Sequence, residues 1–178
     1  MQLTSLRFTY GLGFLVCLGL FIIALYFQFI MGLQPCPLCI SQRIVVIALG
    51  IIMLIATIHN PKTIGLRIYS FFIIVFSLIG IILSGRQVWL QLFPHPGISS
   101  CGAGLIYMLN TLPFTESIHL ILQGSGECEQ VQWSLLGLSL AAWLSLFFIG
   151  FLTIAIWQIF RSSVAKSAKH DKASFKAY

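Results

Sequence analysis

The sequence predicts an all-α integral membrane protein, a four-helix bundle with a long extracytoplasmic loop between its third and fourth helices. Three observations predict this fold: an apolar composition, four nearly uncharged runs, and an uneven distribution of Lys and Arg. Hydrophobic residues occupy 58% of the 178 positions and charged residues only 8%, whereas soluble domains are roughly one-quarter charged. The mean hydropathy is +0.99, so we interpret the chain as one that folds in lipid.

The four runs are long enough to cross a bilayer, because a spanning helix needs about 20 mostly apolar residues. We predict helices over about 10–30, 38–58, 68–85 and 134–160, with Arg43 as the only charged residue inside them. The first run exceeds the roughly 7–15 apolar residues of a signal peptide, so we expect it to be retained as a helix. Residues 1–160 then form a single domain whose loops, 31–37 and 86–133, lie on one side of the membrane.

The distribution of basic residues predicts the orientation, because cytoplasmic flanks collect Lys and Arg. Eight of the ten basic residues fall on the side shared by both termini and the turn at 59–67: Arg7, Lys62, Arg67, Arg161, Lys166, Lys169, Lys172 and Lys176. We therefore predict that both termini are cytoplasmic, that 161–178 is a basic cytoplasmic tail, and that the loops are periplasmic. The net charge of +6 reflects this sidedness, and anionic lipid is its expected partner rather than nucleic acid.

The predicted topology places Cys36, Cys39, Cys101 and Cys128 on the periplasmic side, where disulfides persist. The fifth cysteine, Cys17, lies in the middle of a helix and is interpreted as a packing residue. A bridge across the 26 residues between Cys101 and Cys128 would constrain the unfolded chain by roughly 3.5 kcal/mol, which is credible for a structural staple. The short Cys-x-x-Cys spacing constrains little chain, and is more typical of a redox couple.

The Cys-x-x-Cys motif lies where the second helix must begin if that helix is to span the bilayer. Proline is favoured at the first helical position, so Pro37 makes Cys36 the N-cap and places Cys39 at the third position. Both sulfurs then meet the positive end of the helix dipole, which stabilises a thiolate. Arg43 lies one turn further on. Two interpretations of it stay open: a partner for the thiolate or for a bound polar group, or a side chain that reaches the lipid phosphates.

The same cysteines could in principle bind zinc or attach a haem. A structural zinc site needs a second Cys or His pair at ligand spacing, which the sequence lacks, so we expect no metal. Haem attachment would need His after the motif, but Ile40 follows Cys39. A non-enzymatic four-helix protein with two ordinary disulfides remains the alternative from a different functional class.

Two sets of segments resemble the disulfide bond formation protein B family. The first set resembles the family's first periplasmic loop and consists of FQFIM at 27–31, QPCPLCI at 34–40 and QR at 42–43. The second set resembles its second periplasmic loop and the start of its fourth helix: LQLFP at 90–94, GEC at 126–128, QW at 132–133 and LGL at 136–138. The resemblance covers roughly residues 10–160, with four cysteines in register.

The resemblance implies an inner-membrane enzyme that reoxidises a periplasmic thioredoxin-fold thiol oxidase of the DsbA type. It also implies that the electrons pass to a membrane quinone, either ubiquinone or menaquinone. Carried over to this sequence, Cys101 would form the mixed disulfide with the partner and would pair with Cys128. Cys36 and Cys39 would form the second disulfide, with Cys39 facing the quinone and Arg43 beside its ring. A vitamin K epoxide reductase-like enzyme is the closest alternative, because it also couples loop and membrane cysteines to a quinone.

Overall fold

A computed structural model describes residues 2–32, 35–61, 63–93, 134–135 and 137–175, with side chains described over 7–32, 35–61, 64–93 and 137–160. Within these ranges lie four helices: α1 (Gln2–Phe29), α2 (Pro37–His59), α3 (Thr63–Leu92) and α4 (Leu140–Phe175). A two-residue hairpin, β1 (Ser134–Leu135) and β2 (Leu138–Ser139), precedes α4. Each helix contains a segment of membrane-spanning length with a mean hydropathy between 2.2 and 2.4. The predicted all-α, four-helix membrane fold is confirmed.

The helices pack in chain order, α1 against α2, α2 against α3, and α3 against α4. Their shared core draws on all four helices, and its most buried members are Tyr10, Cys17, Val45, Val46, Leu49, Met53, Ala56, Ile73, Phe148, Phe151 and Ala155. Most other large apolar side chains of the spanning segments are exposed. Such extensive apolar exposure would be unusual in water but suits a surface that faces lipid tails.

Small residues allow two of the helix pairs to approach closely, as is common in membranes. A Cβ added at Gly80 on α3 would lie 2.6 Å from ring atoms of Phe148 on α4, so glycine is required for this contact. A Cβ at Gly50 on α2 would lie 3.3 Å from the Cβ of Cys17 on α1. Cys17 is only 3% exposed, which supports its interpretation as a packing residue.

The ends of α1 and α2 follow from residues that adopt a left-handed backbone. Gly32, with φ of 66°, follows the end of α1, and Asn60, with φ of 47°, caps α2. The Asn60 N–H donates to the carbonyl of Ala56 at 3.1 Å, and Pro61 then prevents the helix from continuing. We call the end of the bundle where α1 ends and α2 begins the cysteine end, and the opposite end the Asn60 end.

The predicted end of the third helix was wrong, because residues 86–92 were assigned to a loop and belong to α3. The prediction stopped at the first charge, Arg86. The helix continues because this segment still has a core to pack on. Gln87 is 6% exposed and Leu90 is 1% exposed, and Leu90 packs against Cys36 and Leu38.

The predicted start of the fourth helix was also wrong, because residues 134–139 contain the hairpin and α4 begins at Leu140. Gly137 has φ of 79°, a left-handed conformation that suits the hairpin turn and not a helix. The hydroxyl of Ser139 accepts the N–H of Ala142 at 3.3 Å, as an N-cap does. An apolar run alone could not reveal this boundary.

Three further predicted boundaries lie inside the observed helices. α1 begins at Gln2 rather than near 10, and the Arg7 Nε donates to the carbonyl of Thr57 on α2 at 3.3 Å. α3 begins at Thr63 rather than near 68. α4 continues past 160 to Phe175, so most of the predicted tail is helical in its backbone. All three extensions lie at the Asn60 end.

Candidate active site

The candidate site lies at the cysteine end, where the first turn of α2 begins. Cys36 is the N-cap of α2, with φ of −68° and ψ of 161°, and Pro37 follows in the first turn. The Cys36 Sγ accepts the backbone N–H of Cys39 at 3.3 Å. The predicted cap geometry is therefore confirmed, and both sulfurs lie at the N-terminal end of a long helix.

The two sulfurs lie 2.9 Å apart, within hydrogen-bonding distance. A disulfide bond is about 2.05 Å long, so only a small approach of the two sulfurs would complete one. The predicted Cys36–Cys39 disulfide belongs to the oxidised form and stays a prediction. Because the sulfurs already face one another across one turn, bond formation requires little rearrangement of the backbone.

The two cysteines differ in their access to the surroundings. Cys36 is 2% exposed and packs with Leu38 and Leu90, whereas Cys39 is only half-buried. A reactant that approaches from outside the helices can therefore reach the sulfur of Cys39 more readily than that of Cys36. This asymmetry agrees with the implied role of Cys39 as the sulfur that faces the electron acceptor.

Sequence reasoning missed a pair of glutamines that contact the cysteines. The Gln87 Nε2 on α3 lies 3.1 Å from the Sγ of Cys39 and 3.8 Å from that of Cys36. The Gln42 Nε2 on α2 donates to the Gln87 Oε1 at 2.8 Å. A signal for Gln87 was available, because Ser70, Ser77 and Ser84 recur every seven residues and Gln87 lies on the same face three residues later. All four of these α3 side chains are buried.

Arg43 contacts α1 through its guanidinium group. It donates to the side-chain oxygen of Gln28 and, through Nη2 at 2.9 Å, to the carbonyl of Ala24. Its neighbours Ile44 and Ile47 on α2 are exposed, so the half-buried guanidinium lies between the α1–α2 contact and the lipid-facing surface. These contacts place the charge one turn from Cys39 without a described hydrogen bond from it to either sulfur.

The second predicted couple, Cys101 and Cys128, lies outside the residues that the structure describes. Their disulfide and the role of Cys101 as the partner's target therefore stay predictions. The structure does bring together two cysteine sulfurs, two buried amides and a guanidinium at the cysteine end. These groups belong to α2 with its N-cap and to α3, and α1 accepts the hydrogen bonds of the guanidinium.

Comparison with known proteins identifies relatives along nearly the whole chain. The family described as "Disulfide bond formation protein DsbB" matches residues 6–158. The chain is 45% identical over 158 residues to "Disulfide bond formation protein B" of Nitrosococcus oceani, covering 89% of this chain and 94% of the relative. It is 45% identical over 150 residues to the protein of the same name from Methylococcus capsulatus, covering 84% and 92%.

A third relative extends the match further along the chain. "Disulfide bond formation protein B" of Acinetobacter baumannii is 41% identical over 167 residues, which covers 93% of this chain and 98% of the relative. The family match over residues 6–158 reaches all four helices and includes the described candidate site. The chain therefore belongs to the disulfide bond formation protein B family.

Proposed function

We propose that this chain oxidises a periplasmic thioredoxin-fold thiol oxidase of the DsbA type and passes the electrons to a membrane quinone. Family membership makes it a membrane thiol-disulfide oxidoreductase, and so excludes the non-enzymatic alternative. The observation that carries the proposal is the pair of sulfurs 2.9 Å apart at the N-terminus of a membrane helix, with an amide donor directed at them. A structural staple would not need that donor.

The proposed reaction consists of two thiol–disulfide exchanges and one oxidation. Cys101 of the Cys101–Cys128 disulfide is attacked by a partner thiolate, and the partner leaves with the disulfide. The resulting dithiol reduces the Cys36–Cys39 disulfide by a second exchange. The Cys36–Cys39 dithiol then gives up two electrons and two protons as its disulfide reforms, and the quinone becomes the quinol.

The residues at the cysteine end suit a quinone as the acceptor. A quinone has carbonyl oxygens that accept hydrogen bonds and an apolar tail that prefers lipid. The Arg43 guanidinium carries five N–H donors, and the described contacts to α1 involve only Nη1 and Nη2. The exposed side chains of Ile44 and Ile47 give the tail an apolar surface next to these donors. Ubiquinone and menaquinone share these features, and both fit the proposal.

A reconstituted assay tests the proposed function. The purified chain in lipid nanodiscs would be mixed with a reduced DsbA-type protein and a soluble quinone, and quinol formation would be followed by absorbance. We expect turnover by the wild type, none by Cys39→Ser, and near wild-type turnover by the control Cys17→Ala, which changes a core cysteine far from the site. Quinol formation that survives Cys39→Ser would overturn the proposal.

The orientation also belongs to the proposal, with both termini cytoplasmic and the cysteine end periplasmic. It is supported by Arg7 on α1 and Arg67 on α3, which lie toward the Asn60 end. A reporter enzyme that is active only in the periplasm, fused after Tyr178, should be inactive. An active reporter would reverse the topology and place the cysteines in the reducing cytosol.

A further inference from the structure

We propose that Gln87 is a positioning residue that holds the sulfur of Cys39 as a thiolate, and that Gln42 fixes the orientation in which Gln87 can do so. The inference deepens the proposed function, because it explains how one sulfur of the dithiol becomes the reactive one. It adds no electron carrier, since the amides form hydrogen bonds and take no part in the electron transfer.

The contact between Gln87 and Cys39 favours the charged form of the sulfur. A side-chain amide nitrogen is a donor only, and the Gln87 Nε2 lies 3.1 Å from the Cys39 Sγ. Hydrogen bonds to an ionised acceptor are roughly twice as strong as those between neutral groups. The donor therefore stabilises the Cys39 thiolate more than the Cys39 thiol.

Gln42 determines which half of the Gln87 amide faces the sulfurs. The two halves have opposite hydrogen-bonding character, so a rotation of the amide by half a turn would direct its oxygen at Cys39 instead. The Gln42 Nε2 donates to the Gln87 Oε1 at 2.8 Å, which opposes that rotation. The orientation of Gln87 is thus set by a residue of α2 that has no described contact with either sulfur.

Burial strengthens both contacts. Gln42 is 1% exposed and Gln87 is 6% exposed, so water does not compete for their hydrogen bonds, and the low local dielectric makes each bond stronger. Two buried amides in an apolar helix interface are costly unless they are paired. Their pairing with each other and with the sulfurs offsets this cost and makes the orientation specific.

The geometry discriminates between the two sulfurs. Gln87 is 3.1 Å from Cys39 but 3.8 Å from Cys36. Cys39 is also the less buried of the two. Gln87 therefore stabilises the negative charge on Cys39, which is the sulfur that an electron acceptor in the lipid can reach.

Alkylation of the reduced protein in the absence of quinone and partner tests the inference. The full chain in nanodiscs would be reduced, treated with iodoacetamide over a range of pH, and digested, so that mass spectrometry reports the rate at each cysteine separately. We expect Gln87→Met to slow the alkylation of Cys39 at neutral pH by about tenfold, as expected for the loss of a hydrogen bond to a charged acceptor. At alkaline pH, where every variant is ionised, the rates should converge.

The remaining variants separate the donor from its orientation. Gln87→Glu should slow the alkylation of Cys39 by more than tenfold, because it replaces the donor with a carboxylate. Gln42→Met should slow the alkylation of Cys39 by about threefold. In this variant Gln87 is still present, but its amide is no longer held in one orientation by the hydrogen bond from Gln42. Gln91→Met is the matched control, since it changes a glutamine one turn further along α3, and should leave the rate unchanged.

A purely structural role for the glutamines would change the rates at every pH and would expose Cys17, which stays unlabelled while the core is intact. A wild-type rate for Cys39 in Gln87→Met at all pH values would overturn the inference, and a wild-type rate in Gln42→Met would overturn the orienting role. Because the experiment contains no quinone and no partner, its failure is distinguishable from a failure of the proposed electron transfer.

Discussion

In the part of the chain that the structure describes, buried polar side chains occur both at the cysteine end and deeper in the bundle, and those at the cysteine end are linked to the cysteine sulfurs. There, Gln42 donates to Gln87, and Gln87 contacts the sulfurs of Cys36 and Cys39. Deeper in the bundle and toward the Asn60 end, the buried Ser77 Oγ and Gln158 Oε1 have no hydrogen-bond partner among the residues that the structure describes. Unpaired groups cost stability, whereas the linked ones contact the sulfurs of the two candidate redox cysteines. The difference indicates that chemistry is concentrated at the cysteine end.

Cys39 and Cys17 should show the largest difference, which is a difference in their rates of alkylation. Cys39 lies at a helix N-terminus beside an amide donor, whereas Cys17 is packed in the middle of the bundle. We expect iodoacetamide to alkylate Cys39 of the reduced protein at least about a hundredfold faster than Cys17, because reactivity follows thiolate character and access. Peptide mass spectrometry measures both rates in one sample. Comparable rates would mean that the cysteine end has no special reactivity.

A pair of arginines, each of which bridges two helices, tests the assignment of the quinone to one end. Arg43 and Arg7 each donate to a backbone carbonyl of a neighbouring helix, at opposite ends of the bundle. We expect Arg43→Met to raise the KM for a soluble quinone by about tenfold, as expected for a lost charged hydrogen bond, with a smaller effect on kcat. Arg7→Met should leave the KM unchanged. Equal effects of the two substitutions on KM would contradict this assignment.

The close contact between α3 and α4 should depend on one glycine and not on its neighbour. An added Cβ at Gly80 meets the Phe148 ring at 2.6 Å, whereas at Gly85 it meets nothing within 4 Å. We expect Gly80→Ala to lower the free energy of unfolding by about 1–3 kcal/mol. Gly85→Ala should be neutral, or stabilising by about 0.5–1 kcal/mol through helix propensity. Denaturant titration in detergent micelles would compare them, and equal stabilities would refute the close packing.

The smallest expected effect distinguishes a paired serine from an unpaired one on the same face of α3. The Ser84 Oγ donates to the carbonyl of Gly80 at 2.8 Å, whereas the Ser77 Oγ has no hydrogen-bond partner within the described segments. We expect Ser77→Ala to stabilise the protein by about 1 kcal/mol and Ser84→Ala to destabilise it by about 0.5 kcal/mol. The same unfolding titration measures both. Loss of stability in Ser77→Ala would show that its hydroxyl is paired after all.

The fold could be predicted from hydropathy because lipid imposes a strong constraint on length and charge. Pro37 likewise predicted the cap at Cys36, since the preference of proline for the first helical turn is local. Helix ends that depend on packing were not accessible in this way. Arg86 looked like the start of a loop, although Gln87 and Leu90 beyond it are buried against α2.

The residues of the candidate site also divide into those that a local sequence pattern predicts and those that depend on packing between helices. Cys36, Cys39 and Arg43 could be found because their types and spacing within one helix carry the signal. The contact of Gln87 with Cys39 could not be predicted, because it joins residues 48 positions apart. The α1 partners of Arg43 were missed for the same reason, since Gln28 and Ala24 approach it only when α1 packs on α2.

The central claim is that Cys36 and Cys39 form the couple that quinone oxidises. The most direct measurement is a non-reducing peptide mass map of the reduced Cys101→Ser/Cys128→Ser protein in nanodiscs, before and after addition of a soluble quinone. We expect a Cys36–Cys39 disulfide to form, with one quinol produced for each disulfide. If Cys36 and Cys39 remained thiols while the quinone stayed oxidised, the claim would be contradicted.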